Sequence, residues 1–525
     1  MLKRILFSLF SLVVVIVAVM LLVYSLTERS AIFQTDTVWI KKNNNDQRLY
    51  EYTQYQKFGY LEFTEYSTFL AKKYSDLYGP SYSTMKEYTD AKNAIQNAET
   101  YLDNPDVQDF IQTYEAKGYK TVYFERVAYK NGRLASGGSA VLLVAHEKSV
   151  FIRLWEYIKG FITVETTSQV TDPSLTERYI KFEHDPYSGL FAIVGSGTQH
   201  KYLLYFDGRF PFIHQNFIHI NLGVSHTTYR GQEITTVMNT PTGDLDIVTT
   251  QYPAMIGTDE YVETSIDFHS LAYNPNYASM NESERANFPD NYSVYTYRRT
   301  GLTMIENSFV IGLIAVIIAY LFGLPIGILM ASRKDKLADK IGNAYIIFIM
   351  AVPSLAYIFL FATIGTTVFG LPYKFANAQV KILAYFLPVI SLALPSIGGL
   401  MKWMRRFMID QMNSDYVKFA RAEGLSENEI FFKHISKNAM IFLVHGIPGN
   451  ILGCLVGAIV TERVYSVPGI GGLMTTAIGT HDNGIIVATT VFYTFLSILS
   501  LILGDLLLAK YDPRISLTQG GGGRK

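Results

Sequence analysis

Few residues in this 525-residue chain are spaced for catalysis. His214, His219 and His226 lie close together, but their spacing matches no metal-ligand pattern. Packed or surface histidines are the expectation, and no metal site. Gly195-Ser196-Gly197 lacks the glycine spacing that presents a hydrolase nucleophile on a strand-to-helix turn. No nucleophile–base pair stands out, so no catalytic residue is expected. The dipeptide Gly-Lys occurs nowhere. A P-loop requires it, because backbone N–H groups cradle the phosphates while the lysine reaches them. Work driven by a nucleotide would therefore need a second polypeptide, and the alternative is an ion gradient. Gradient-driven carriers often place acids at mid-membrane. Here Glu306 and Asp505 are the only acids inside apolar blocks, and both sit toward block ends.

The segment with the most specific pattern is Asp415-Tyr416-Val417-Lys418-Phe419-Ala420-Arg421-Ala422-Glu423-Gly424. Ala420 and Ala422 favour helix. Gly424 can take the left-handed conformation that ends one. Ser426 with Glu429 three residues later forms a capping box for a following helix. The expectation is a helix–glycine–helix elbow. Two readings fit it: an elbow offered to a protein partner, or an amphipathic helix resting on lipid through Lys418, Arg421 and Lys433.

The elements that must hold this elbow are apolar. A run of about 22 residues (Ile5–Leu26) follows Lys3 and Arg4 and is long enough to span a bilayer. No Ala-x-Ala site follows it, so an uncleaved anchor is expected, with a cleaved signal peptide as the alternative. Further apolar blocks at 304–331, 342–370, 380–401, 438–461 and 484–509 bring the expected spans to six. Pro325, Pro353, Pro388, Pro395 and Pro448 interrupt them, which multi-helix bundles tolerate. With the N-terminus inside, cytoplasmic segments hold 17 Lys and Arg, against 4 on the outer side apart from residues 30–300. The positive-inside rule then places both termini in the cytoplasm and residues 30–300 outside. Gly449, Gly453 and Gly457 share one helix face, either for close packing or to line an interface or pathway.

Four strings together resemble the B-type permease subunit of oligopeptide ABC importers, in a long form with a large extracellular insert. They are the elbow, Gly327-Ile328-Leu329-Met330-Ala331, Leu387 to Pro395, and Thr461-Glu462-Arg463-Val464-Tyr465-Ser466-Val467-Pro468-Gly469-Ile470-Gly471. The elbow is similar to that family's EAA loop in its peptide-permease variant. Only Ala420 matches the general Glu-Ala-Ala triplet, and Tyr465 stands where Phe is usual. The resemblance covers residues 1–30 and about 300–515. It implies a type I ABC importer permease of six transmembrane helices carrying an inserted α+β domain. It implies ATPase coupling through Asp415, Tyr416, Lys418, Ala420, Arg421, Ala422, Glu423 and Gly424. Its implied partners are a homologous second permease, two ATPase subunits holding ATP and Mg, an extracellular substrate-binding lipoprotein, peptide and membrane lipid, with no cofactor in this chain. Glu462, Arg463, Pro468 and Gly469 become candidates to line the translocation pathway, the alternative for Glu462 and Arg463 being a loop anchor or ion pair.

The division expected is an anchor at 1–29, an α+β domain at 30–300, a permease core at 301–515 and a flexible tail at 516–525. Residues 30–300 hold 24 Lys and Arg against 32 Asp and Glu, leaving 21 against 13 elsewhere, so acidic and basic parts are separated. No basic run with interleaved aromatics occurs, which argues against nucleic acid. The one cysteine, Cys454, excludes an intrachain disulfide. Within 30–300, residues 61–118 have helical spacing. Strands are expected at 121–127, 140–144, 191–194, 202–206 and 217–220, with turns at Asp207-Gly208 and Thr242-Gly243-Asp244. A surface for docking the binding protein or capping the outer gate is the expected role, with a peptide-sensing receptor as the alternative.

Overall fold

The computed structural model describes residues 2–26, 29–34, 36–164, 217–243 and 301–511, with short strands between 180 and 299. The Asp207-Gly208 turn, Ser196-Gly197 and the 516–525 tail lie outside the described residues.

The first helix, α1 (Leu2–Leu26), enters the insert. Short α2 (Thr37–Lys41) and α3 (Asn44–Lys57) lead to β1 (Leu61–Glu65). Then come α4 (Tyr66–Tyr78), α5 (Lys86–Ala94) and α6 (Pro105–Glu115), as the helical spacing predicts. The expected first two strands form at β2 (Lys120–Phe124) and β3 (Val141–Glu147). These pair antiparallel in the order β1-β3-β2, so β3 is central and its Leu142, Leu143 and Val144 are fully buried. One face of the sheet meets Tyr66, Leu70, Val107 and Phe110 from the helices. An amphipathic helix, α7 (Val150–Gly160), runs into β4 (Ile162–Val164). A four-stranded antiparallel sheet follows, β5 (Ile180–His184), β6 (Phe191–Gly195), β7 (Tyr202–Phe206) and β8 (Ile213–Gln215). The chain then returns through β9 (Ile218–Ile220), which pairs with β4, to α8 (Ile234–Asn239).

The core begins at α9 (Met304–Ser332), where Thr303 and Glu306 form a reciprocal capping box. Glu306 is thus a helix cap. Helix α9 packs along α12 (Lys381–Met412). A Cβ on Gly323 would lie 2.9 Å from Leu400 Cβ, and one on Gly327 would lie 2.8 Å from Met404 Cβ. The Gly327 string therefore owes its small residue to this close approach. The expected span at 342–370 is a broken pair, α10 (Leu337–Ala351) and α11 (Ser354–Phe369), bent by 110°. Pro353 disfavours helix at Val352, whose backbone is extended.

After α13 (Asp415–Ala422), the expected span at 438–461 divides into α14 (Ser436–His445) and α15 (Ile447–Tyr465) at Gly446. Pro448 sits in the first turn of α15, where a missing N–H costs nothing. The short α16 (Ile470–Gly479) and the long α17 (Asn483–Tyr511) complete the core. Among the described residues, five helices are long and apolar enough to cross a membrane, or six if the bent pair counts as one span.

Candidate functional site

The elbow forms at α13. Gly424 has φ +84 and ends the helix, its N–H donating to Arg421 O and that of Leu425 to Ala420 O. Half of the expected capping box is present. Ser426 Oγ accepts from Glu429 N at 3.3 Å, while Glu429 turns its carboxylate to Lys433 (2.6 Å). A π-helical segment, Ile430–Ile435, then joins α14.

Two faces of α13 differ sharply. Val417 and Ala420 are buried among Met404, Met408, Ile430 and Ile435. Tyr416 is half-buried and donates to Gln411 Oε1 at 2.9 Å. On the opposite side Asp415, Lys418, Arg421, Ala422, Glu423 and Gly424 are exposed. Lys418 pairs with Asp415 (2.8 Å), and Arg421 grips Glu427 through two nitrogens at 2.7 and 3.2 Å. That hydrogen-bonded guanidinium holds the Glu427 carboxyl below its ordinary value. Between these charges projects Phe419, 65% exposed, with Phe432 at 61% beyond the turn. Neither ring is among the coupling residues that the resemblance implies, although Phe419 is atypical at its place in the loop triplet. The signal was nevertheless present: at 100° per residue, Phe419 falls opposite the Val417–Ala420 stripe.

The second group of candidates meets at the far end of α15. Glu462 is 1% exposed and is a loop anchor. Its carboxylate accepts from Ser308 Oγ (2.7 Å) and Gly472 N (2.9 Å), and Ser308 Oγ accepts in turn from Ile470 N (2.9 Å). A Cβ on Gly469 would come within 2.4 Å of that carboxylate, and one on Gly471 within 2.5 Å of Ile459 Cα. The spacing of Glu462, Gly469 and Gly471 is thus a hook that folds the chain back on itself after α15. Ser466 supplies the left-handed turn (φ +54), and Asn307 donates to Pro468 O at 2.9 Å. Tyr465, in the usual Phe position, spends its hydroxyl on Ser391 (2.8 Å) and Ile358 O (3.3 Å). Arg463 is exposed, makes no ion pair among the described residues, and shares a cleft of about 200 Å³ with Pro468, Gly469 and Tyr229.

Between these ends the core holds a cavity of about 420 Å³, lined by Tyr320, Ser396, Trp403, Phe407, Asn450 and Gly453 among others. Tyr320 OH accepts from Asn450 Nδ2 at 2.8 Å and donates to Leu443 O at 3.2 Å. Gly453 has nothing within 4 Å of a built Cβ, so on the 449/453/457 face only Gly457 packs tightly, 3.1 Å from Leu392.

Where insert meets core, Asp482 is fully buried and accepts from Ser225 Oγ (2.7 Å) and from the N–H groups of His226, Thr227 and Thr228 at 3.0–3.1 Å. Burial raises its pKa, but these donors outweigh that and hold it below the ordinary value. His226 packs on Phe58 at 3.9 Å between ring centroids. Among the described residues its Nδ1 has no partner, and burial pushes its pKa down to about 4. Arg29, just after α1, clasps Glu147 at the end of β3 (2.9 and 3.0 Å), and Asn483 reaches Tyr60 OH (3.3 Å). His226 is therefore a packed histidine at a joint. Among the described residues no cluster could hold a metal.

The family described as Binding-protein-dependent transport system inner membrane component matches residues 323–517. The chain is 32% identical over 529 residues to the oligopeptide transport system permease protein AmiC of Streptococcus pneumoniae, covering 99% of this chain and 98% of that one, so the insert lies inside the alignment. The dipeptide transport system permease protein DppB of Bacillus subtilis is 29% identical over 216 residues, 41% of this chain and 69% of its own. A chain of the MetNI methionine ABC transporter overlaps 40% of this chain and 94% of its own at 12% identity and a TM-score of 0.34, too low to add to the assignment. The alignment with AmiC, end to end, and the family match across the elbow, hook and cavity lead to one statement: the chain belongs to the inner-membrane permease family of binding-protein-dependent ABC importers, transport components that are not themselves enzymes.

Proposed function

We propose that this chain forms half of a translocation pathway for oligopeptides, with force arriving at the α13 elbow from a separate ATPase. The observation that carries this reading is the division of α13. One face is locked into the helix bundle through Val417 and Ala420, while the other offers Phe419 and a row of paired charges. An amphipathic helix resting on lipid would expose an apolar stripe. Here the apolar stripe is turned inward, and one ring projects among ions. Such a face suits a groove on another protein, where an aromatic anchor fills a pocket.

The rest follows as one assembly. Both termini lie in the cytoplasm and the insert lies outside. A homologous second permease completes the pathway, two ATPase subunits carry ATP and Mg, and a binding lipoprotein delivers peptide to the insert. The cavity under Trp403 and Asn450 suits peptide, since rings accept varied side chains and an amide hydrogen-bonds main chain without selecting charge. Arg463, Pro468 and Gly469 border the outer cleft, held in place by Glu462.

The test is Phe419→Ala. Membrane insertion should be normal, because the ring is 65% exposed, while uptake of a labelled peptide and co-purification of the ATPase should fall more than tenfold. Unchanged uptake would remove the coupling assignment. Replacing residues 35–295 by a short linker separates transporter from sensor: surviving uptake with a lost response to external peptide would favour the sensor role for the insert.

A further inference from the structure

Among the described residues, the largest apolar surface that the insert's own fold leaves uncovered runs from α7 into the β4–β9 ribbon. On α7, Phe151, Ile152 and Trp155 are 73%, 46% and 67% exposed. The chain continues through Phe161 into a two-stranded ribbon, in which Ile162 faces Ile220 and Val164 faces Ile218 across the pair. These four side chains share one face of the pleat and are 41–65% exposed. Elsewhere in the described insert, exposed large apolar residues are scattered, apart from Ile180, Phe182 and Phe191 on the β5–β6 pair, where Phe182 stacks on Phe191. A soluble domain rarely leaves such a patch open without an occupant.

The height of α7 identifies the occupant. Its inner face does not pack on the insert alone. Leu154, Tyr157 and Phe161 join Ile16 and Met20 of α1 and Ile485, Val487 and Val491 of α17 in one cluster. A small cavity of about 230 Å³ is walled jointly by Arg153, Tyr157, Met20 and Val487. Met20 lies three residues inside the end of the apolar stretch Leu6–Val23. At about 1.5 Å per residue, α7 is seated roughly 5 Å below the level where that span leaves hydrocarbon. Val487 agrees from the other chain direction, one turn into α17. Helices lying in a membrane surface sink their apolar face about 5–10 Å into the headgroup and acyl boundary.

Charge placement is consistent with that depth. Lys148 and Glu156 pair with each other at 2.7 Å, and Arg153 is turned inward over the Tyr60 ring at 3.9 Å. Lys159, on the exposed side, has a stem long enough to carry its ammonium to headgroup phosphates. Tryptophan is the residue enriched at this level of a bilayer. α1 leaves Phe7, Phe10, Val13, Val14 and Leu22 open as a lipid-facing surface, while α7 packs on the side of Ile16 and Met20.

We infer that α7 is a monotopic foot: it lies in the leaflet on the insert's side, with Phe151 and Trp155 inserted among lipid acyl chains. The inference needs only that α1 and α17 span, and it holds for either orientation of the chain. It gives the insert a fixed height above the bilayer, set by lipid as well as by the joint at Asp482.

The chain has three tryptophans, Trp39, Trp155 and Trp403. In the full assembly, Trp39→Phe with Trp403→Phe leaves Trp155 as this chain's one tryptophan, and subtracting the signal of the same chain with Trp155→Phe added removes that of the other subunits. Reconstituted into phosphatidylcholine–phosphatidylglycerol vesicles, its fluorescence should be quenched at least twofold by lipids brominated near the headgroup end of the acyl chain. Bromines at the chain ends should quench less, and aqueous iodide should have little effect. Quenching by iodide without quenching by bromolipid would overturn the foot, because α7 would stand in water. Protection from both would overturn it as well, placing a protein partner on the patch. Should Trp403→Phe prevent assembly, a spin label on Trp155→Cys in a Cys454→Ser chain reads the same depth. Collision with oxygen exceeding that with a water-soluble nickel chelate supports lipid, and the reverse ratio refutes it.

Discussion

Single residues carry the joints of this molecule. At pH 7 His226 is neutral, because burial pushes its pKa down to about 4, against a weaker upward pull from Asp482. A group whose folded pKa lies below its unfolded value of about 6.5 contributes stability that is whole above that value and lost as pH falls toward 4. The size is roughly 3 kcal/mol at the acid end. Asp482 adds in the same direction at lower pH, since its folded pKa is also depressed. The insert–core joint should therefore loosen between about pH 6.5 and 4, seen as a falling thermal midpoint. His226→Phe should flatten that slope, as the ring stays packed on Phe58 with nothing to protonate. Asp482→Ala leaves four backbone N–H groups, those of His226, Thr227, Thr228 and Ile485, without this acceptor. At about 1–3 kcal/mol per orphaned group it should cost several kcal/mol, with new protease cleavage near 225–231. The sequence predicts only a packed or surface histidine at His226. Nothing near Asp482 revealed its partners, more than 250 positions away in the chain.

Elements were more legible where one helix dictated its own shape. The elbow was readable because its stop is a single glycine at positive φ, followed by a Ser–Glu cap. Its geometry makes a paired prediction. With open space around Gly424, size alone is harmless there and backbone conformation decides. Gly424→Asn, which tolerates the left-handed region, should retain most uptake. Gly424→Val should abolish it while leaving membrane insertion intact. Breaks at Val352-Pro353 and Gly446 were less legible, because proline inside apolar blocks reads equally as a kink or an end. Pro325, Pro388 and Pro395 stay within continuous helices. The link between α10 and α12 was not visible at all. Asp339, 1% exposed, is held by Arg405 through bonds of 2.6 and 2.7 Å. Arg405→Ala should strand that carboxylate and destabilise by about 3–5 kcal/mol, whereas Arg405→Ala with Asp339→Ala should recover part of the loss. A thermal-shift cycle of the two variants measures it.

At the scale of the whole molecule, the charge split in the sequence corresponds to a structural split between an insert and a helical core. The two are not loosely tethered. Arg29–Glu147, Tyr60–Asn483, the 225–228 turn on Asp482 and α7 against α1 fasten them at several points. Removing residues 35–295 should therefore lower the thermal midpoint of the core even where it still inserts, because Leu222, Ile234, Val237 and Met238 leave the cluster around α1 and α17. Retaining 217–243 on short linkers should recover part of that midpoint, which size-exclusion stability in detergent would detect.

The carboxylate of Asp482 grips its turn mainly by main-chain N–H groups, with Ser225 supplying the one side-chain donor. A socket of that kind recognises a shape of backbone. The hydroxyls of Thr227 and Thr228 reinforce that grip by reaching Thr480 at 3.0 Å. A new head grafted here would therefore have to bring a loop of that shape to Asp482 as well as replacements for the other fastenings.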